Sequence, residues 1–293
     1  MHWVLAAVLT GVLHVHHAPS HDSDARFREV LAAGFAAGLD FIVLTEHVPP
    51  DARGALPAAD RAGRYPRPGG GELLVLVGAE YGTRDGHLLA FDVPRLLPIE
   101  GLSGREGIAE IHHAGGFAVL PHPFLHGGWK DWEAPFDGLE VHNGSAVLWD
   151  ALDFWLPFRL LRYGGQPLRI VRSLLTRPDH ALEVWEELLA AGRPVVAFSG
   201  ADAHQNLSLL GIQLDPYQEI FGLVQTHCPP GPLEARSLWW SLRSGACWIR
   251  YSAFDARARE AREVRFPSGR TELQLDGGQR VLEIRQPRGG FLR

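Results

Sequence analysis

Lysine is almost absent from this chain of 293 residues: Lys130 stands alone among 28 basic residues, and 34 acidic residues leave a net charge of −6 at pH 7. An acidic chain without a basic stripe lacks the electrostatic footprint of a protein that grips a nucleic-acid backbone, so nucleic acid is not expected as a partner. Cysteine is nearly as scarce. Cys228 and Cys247 are too few for a disulfide framework and lack zinc-knuckle spacing, which fits a reducing compartment. No apolar run reaches the roughly 18 residues that cross a bilayer, so no membrane partner is expected. The stretch from Val4 to Leu13 is long enough for the core of a signal peptide, but no basic residues precede it, and a buried first strand is the rival use. No G-x-G-x-x-G or P-loop follows any predicted strand, which removes the usual phosphate cradles of nucleotide-binding proteins.

What is present is a core. Hydrophobic residues make up 46% and charged residues 21%, the balance of a globular protein. Short apolar runs predict strands ending at Val12 to His16 and spanning Phe41–Leu44, Leu73–Val77, His87–Phe91, Phe117–Leu120, Leu139–Val141 and Val195–Phe198. Helical spacing follows Asp24, read as an N-cap, and recurs at Gly104–Ala114, Ala146–Leu161 and Asp179–Ala191. Pro49 to Gly71 reads as a surface loop. The segment Leu148–Leu175, rich in Trp and Phe, reads as core-facing helices, with a lid or dimer surface as the alternative. Strands alternating with helices favour a parallel α/β barrel or a doubly wound sheet. After Ser252 the pattern becomes short alternating runs separated by Gly and Pro, a C-terminal β-meander.

Fifteen histidines remain to be explained. Six elements place imidazoles or carboxylates at or just past the end of a predicted strand: His14-x-His16, Glu46-His47, Glu80, His87, His122 and Asp202-x-His204. In a parallel barrel strand ends converge on one face, and these side chains are the donor types that suit zinc, iron and manganese. In a strand, the period of two sends His14 and His16 to the same side. His112, His113, His180, His2 and His227 lack this context and are read as ordinary structural or surface residues.

The ordered set His14-x-His16, Ser20-His21-Asp22, Leu44-Thr45-Glu46-His47, Glu80, His87, His122-Pro123 and Gly200-Ala201-Asp202-Ala203-His204 resembles the polymerase and histidinol phosphatase (PHP) superfamily. Gly78-Ala79-Glu80 with Gly86-His87, and Leu139-Glu140-Val141 with Asn143-Gly144, look most like the group that includes carbaryl hydrolase. The resemblance implies an α/β fold, a distorted (β/α)7 TIM-like barrel; with the change of pattern after Ser252, the expected division is the barrel over residues 1–250 and a small β appendage over 251–293. It implies two or three divalent metal ions: one on His14, His16, Glu80 and Asp202, a second on Glu80, His87 and His122, a third on Asp22, His47 and His204. Asp22 rather than His21 is the expected ligand. Glu46 stands where the family more often has aspartate and is expected to orient a neighbour.

A carboxylate bridging two cations lets them share a water whose pKa falls toward 7, giving a hydroxide nucleophile. The expected activity is therefore a metal-dependent hydrolase, foremost a phosphoesterase acting on a small molecule, with carboxyl ester or carbamate hydrolysis as the alternative. A binding module that has lost catalysis is the alternative of another class. Glu80, His122 and His204 are the candidate catalytic groups, joined by Arg84, which could fork onto a phosphate. His126, Lys130, His142, Asn143 and Gln205 are candidate substrate contacts. If His14 and His16 are ligands, Val4 to Leu13 leads into the first strand, and a cytoplasmic enzyme is expected.

Overall fold

In β2 (Phe41–Leu44) and β4 (Glu72–Val77) successive side chains enter two different cores. Phe41, Val43, Leu74 and Leu76 pack with Leu13, Phe91, Phe117 and Phe198, whereas Ile42, Leu44, Leu73 and Val75 pack with helix residues such as Val30, Ile108 and Leu182. Strands buried on both faces need continuous apolar runs rather than alternation, which is why these runs are legible in the sequence. The computed structural model describes residues 7–125, 128–151, 175–209, 212–252, 261–275 and 281–287, with the single positions 158, 162, 169 and 172.

The remaining strands are β1 (Leu9–Val15), β3 (Gly63–Pro66), β5 (Ala79–Thr83), β6 (Gly86–Phe91), β7 (Phe117–Leu120), β8 (Gly138–Asn143) and β9 (Val196–Ala203), then β10 (Ser208–Leu209), β11 (Ile212–Gln213), β12 (Gln225–Cys228), β13 (Trp248–Arg250), β14 (Ala261–Arg265), β15 (Thr271–Leu275) and β16 (Val281–Arg285). The helices are α1 (Phe27–Ala36), α2 (Gly104–His113), α3 (Gly144–Ala151), α4 (Asp179–Ala190), α5 (Tyr217–Ile220) and α6 (Ala235–Arg243). Helix α1 begins later than Asp24. Its N-cap is Arg26, whose backbone N–H donates to Glu29, so the predicted cap is corrected. The rest of the helix expected to Leu161, and most of the aromatic-rich segment, lie outside the described residues.

Fourteen strands form one mixed sheet in the order β14-β15-β16-β13-β12-β1-β9-β8-β7-β6-β5, with β2, β4 and β3 branching from β1. Among the described residues this ladder does not close, so the sheet is open where the distorted barrel is expected. β4 and β5 follow one another across Gly78 without pairing, and between β5 and the chain after β2 there is only an isolated bridge from His47 to Glu80. A Cβ at Gly78 would lie 2.7 Å from the Ala90 carbonyl oxygen, so only glycine lets the chain pass so close to β6. The pairings β1–β2, β2–β4, β1–β9, β8–β9 and β7–β8 are parallel, while β5–β6, β6–β7 and β1–β12 are antiparallel.

The segment read as an appendage continues this sheet: β13 pairs with β16 and with β12, which in turn pairs with β1. Arg270 and Glu272 of this region pair with Glu186 and Arg177 at α4. The β12–β13 register sets Gln225 opposite Arg250 and His227 opposite Trp248, and so brings Cys228 and Cys247 together in a disulfide. This corrects the reading of two reduced thiols, and the cysteine count no longer argues for a reducing compartment. Among the described residues no helix is long and apolar enough to cross a membrane.

Candidate metal centre

The histidine pair at the end of β1 reaches one side by a bulge, not by simple alternation. Val12 and Val15 both pack in the helix-side core and Leu13 in the other, which a strict period of two forbids. The register slips between Val12 and Val15 against β2, and again between Leu13 and Val15 against β9, where His14 has φ 61°. The bulge re-aims both imidazoles at Glu80. His122, just past β7, has φ 28°, and Asp202 in β9 has φ 46°. Left-handed backbone is costly for residues with a Cβ, and strain of this kind gathers at functional sites.

Glu80 sits at the middle and divides its two oxygens. Oε2 lies 3.0 Å from His14 Nε2 and 3.2 Å from His16 Nε2, while Oε1 lies 2.7 Å from His87 Nδ1 and 3.2 Å from His122 Nε2. Asp202 Oδ1 lies 3.5 Å from His14 Nε2 and 3.6 Å from His16 Nε2. Asp22 Oδ2 lies 3.2 Å from His47 Nε2 and 3.0 Å from His204 Nε2. His21, the other candidate, is exposed and meets His47 only ring to ring, with centroids 5.0 Å apart.

The backs of these imidazoles are held as well. His14 Nδ1 lies 2.7 Å from Glu140 Oε1, and the other oxygen of Glu140 accepts from the His122 backbone N–H and from Asn143 Nδ2. Glu140 was legible as a strand residue and as part of the Leu139-Glu140-Val141 motif, with no role at the site. Gly200 explains how it fits: a Cβ there would lie 2.0 Å from Glu140 Oε1. Ser20 Oγ donates to Glu46 Oε2 at 2.6 Å, so it accepts from His16 Nδ1–H at 3.1 Å and from the His47 backbone N–H at 3.0 Å. Glu46 also accepts from the His17 backbone N–H at 3.0 Å and contacts the His17 ring. It thus orients neighbours rather than entering the centre. Tyr217 OH donates to the His16 carbonyl, and Ser23 Oγ to the His204 carbonyl at 2.6 Å. Sequence reading had no signal for either.

Charge in the cluster is set by contest. Burial disfavours the imidazolium of His14, but Glu140, Asp202 and Glu80 outweigh it and hold its pKa well above the ordinary histidine value. Burial opposes the Glu80 carboxylate, yet His14, His122 and His16 keep its pKa well below the usual range. By the same balance Asp202 is pushed down to about 2 and His204 up to about 9. His16 goes the other way, to about 4, because burial dominates and His204 and His14 reinforce it. Its tautomer leaves a bare lone pair on Nε2, a buried atom that makes no hydrogen bond; His204 Nε2 and Asp22 Oδ1 are likewise buried and unbonded. Buried polar atoms without partners are rare. Here the two imidazole nitrogens face carboxylate oxygens, His16 Nε2 that of Glu80 and His204 Nε2 that of Asp22, an arrangement that a cation would satisfy.

The fit to metal is therefore good. Four sets of donor atoms lie within 4.8 Å of one another: His14, His16 and Glu80; Glu80, His87 and His122; His14, His122 and Asp202; His16, His47 and His204. These histidine and carboxylate clusters fit divalent metal binding. The other expected contacts are not gathered in. Arg84 is two-thirds exposed and pairs with Glu106 at 3.1 Å, while Lys130 Nζ donates to the Arg84 carbonyl. Both line a cavity of about 470 Å³ that reaches His87 and His122, without bonding either. Gln205 accepts from the Tyr217 backbone N–H, and Asn143 is spent on Glu140 and the Ala146 N–H. His126 lies outside the described residues. His112 pairs with Asp137, away from the cluster.

No family model matches the sequence, and no curated protein does. Solved structures resemble the fold. A two-domain protein from Bacteroides vulgatus containing a predicted PHP-like metal-dependent phosphoesterase is similar at a TM-score of 0.47 and 16% identity, over 98% of this chain and 87% of that one. Endonuclease Q from Pyrococcus furiosus, a lesion-specific endonuclease, is similar at 0.47 and 12%, over 81% and 56%. An Endonuclease Q complex with a 27-mer duplex substrate, an abasic lesion at its active site, is similar at 0.46 and 12%, over 82% and 56%. This chain therefore spans little more than half the length of the endonucleases. The expectation that nucleic acid is not a partner is corrected against these two, one of which is a complex with a duplex substrate.

Proposed function

We propose that the chain is a metal-dependent hydrolase of the PHP type, and foremost a phosphoesterase. The observation that carries the reading is Glu80, whose two oxygens face two separate sets of histidines. His14, His16, Glu80 and Asp202 would hold one cation, Glu80, His87 and His122 a second, and Asp22, His47 and His204 a third. Such cations, when bound, supply an activated water and neutralise charge on the group being cleaved. The chain's own residues do the rest. Glu140 and Ser20 fix the tautomers of His14 and His16, so that each presents Nε2 inward. His122 and His204, the candidate catalytic histidines, face the centre through Nε2 and would act through the cations they hold.

A second reading, carboxyl ester or carbamate hydrolysis on the same centre, draws on one observation and on the resemblance to the carbaryl hydrolase group. The observation is that the two cations beside the centre are engaged with other partners, Arg84 with Glu106 and Lys130 with the Arg84 carbonyl. The test is metal analysis of the purified protein together with a panel of phosphomonoesters, phosphodiesters and aryl esters, with manganese, zinc and iron supplied in turn. More than one equivalent of metal per chain, and hydrolysis lost on chelation, are expected. One equivalent or less in protein prepared without chelators would defeat the proposal. Glu80→Ala should release metal from two sites together and lower kcat by at least a hundredfold.

A further inference from the structure

Beside the metal centre the structure holds a cavity of about 310 Å³, bordered by His122 and Glu140 and running between the end of β8 and the starts of α3 and α4. About half of its wall is apolar, with Phe124, Leu125, Val141 and Val147 among the residues that form that half, and the polar half carries two further imidazoles, His142 and His180. Phe124 is stacked on Trp132 with ring centroids 5.5 Å apart and meets His180 at 4.5 Å, so one side of the cavity is an aromatic wall held from behind. His142 is buried beside Tyr251, ring centroids 5.3 Å apart, and burial alone pushes its pKa down to about 4, so it is neutral at pH 7.

No arginine or lysine is among the described residues that line this cavity, and both of its carboxylates are engaged. Glu140 serves His14 and the His122 N–H, and Asp179 pairs with Arg177. The described lining therefore offers a charged group no free counter-ion. The cavity of about 470 Å³ that shares His122 does carry cations, Arg84 and Lys130, so a charged portion has a better seat there. A volume near the low end for small-molecule sites, roughly 300 to 1,000 Å³, suits one ring system.

We propose that this cavity seats an uncharged aromatic group of the substrate against Phe124 and His180, with the bond to be cleaved lying at the metal centre. The inference rests on the hydrolase reading above and adds to it the chemical class of the group beside the scissile bond. That ring could belong to an aryl ester or to the base of a nucleotide. The shared chemistry is a neutral planar ring.

The test compares the metal-loaded full chain with Val147→Trp, which fills the cavity from α3, using methyl phosphate and 4-methylphenyl phosphate. The intrinsic reactivity of each ester is the same for both proteins and cancels. The aryl-to-methyl ratio of kcat/KM should fall at least tenfold in the variant. An unchanged ratio would overturn the proposal. His180→Ala, on the exposed first turn of α4, is the second variant and should lower the ratio several-fold with folding undisturbed. Calorimetry with p-cresol and 4-hydroxybenzoate needs no turnover. It should give at least tenfold tighter binding of p-cresol, abolished in Val147→Trp, and equal binding would refute the cavity's preference. If p-cresol binds as expected and no ester is cleaved, the hydrolase reading fails while the cavity stands. Adenosine and cytidine in place of p-cresol distinguish the two sources of the ring.

Discussion

Glu140 illustrates how much one buried carboxylate can govern. It holds His14 by Nδ1 and pins the His122 backbone, while Gly200 leaves it the space to do so. Glu140→Gln keeps the shape and removes the charge, and metal affinity is expected to fall ten- to a hundredfold in competition with a chromophoric chelator. Gly200→Ala should do the same by displacement, and an unchanged affinity in both variants would remove Glu140 from this role. His142 makes a separate prediction about pH. Its folded pKa of about 4 lies below the ordinary 6.5, so its contribution to stability is whole above pH 6.5 and is lost as pH falls through 4, on the order of 3 kcal/mol in all. In His142→Gln that acid loss should be absent, read as the difference between urea midpoints of the two proteins from pH 8 to pH 4.5. A difference constant across that range would contradict the assignment.

Among the elements, β15 and α4 are joined by charges taken out of water. Glu272 is fully buried and accepts from Arg177 at 2.8 Å and from Arg270, which also donates to Glu186 at 2.7 Å and lies over the Phe266 ring. Removing one member of such a network strands its partners. Glu272→Ala should therefore cost about 3 kcal/mol in chemical denaturation. The exposed pair Arg64–Glu72, also at 2.8 Å, offers the contrast: Glu72→Ala should cost under about 1 kcal/mol. Equal effects would mean that burial does not set the value of these pairs. Elements also differ in how openly they were written. β2 and β7 have the bounds that their apolar runs predict, because each is buried on both faces. β3 lies in a stretch of Gly, Pro and Arg with alternate residues exposed, and β12 reads Gln-Thr-His-Cys. Neither carries a local hydrophobic signal, since each is a strand by virtue of its neighbour.

On the scale of the whole molecule, the centre draws donors from residues 14 to 204 and so ties together β1, the turn after β2, β5, β6, the turn after β7, and β9. A ligand that binds the folded state alone stabilises it by about 2.7 kcal/mol at a hundred times its Kd. Divalent metal at that excess should raise the thermal midpoint by on the order of 5 °C, and chelation should return it. A midpoint indifferent to both would mean that the donors are not joined by metal.

Residue types and their order pointed to the candidate donors: histidines and carboxylates placed after short apolar runs are legible as chemistry, and the resemblance completed the set. Period and composition determined that the chain is a mixed α/β protein with its strands buried. Only the tertiary structure decided how the donors face one another. The bulge at His14, the close passes at Gly78 and Gly200, and the support given by Glu140, Ser20 and Tyr217 are contacts between segments far apart in the chain. Tertiary packing also decided that the sheet stays open at Gly78, that its C-terminal strands extend it, and that Cys228 meets Cys247 across β12 and β13. Register and steric fit are properties of pairs of segments, and no local pattern carries them.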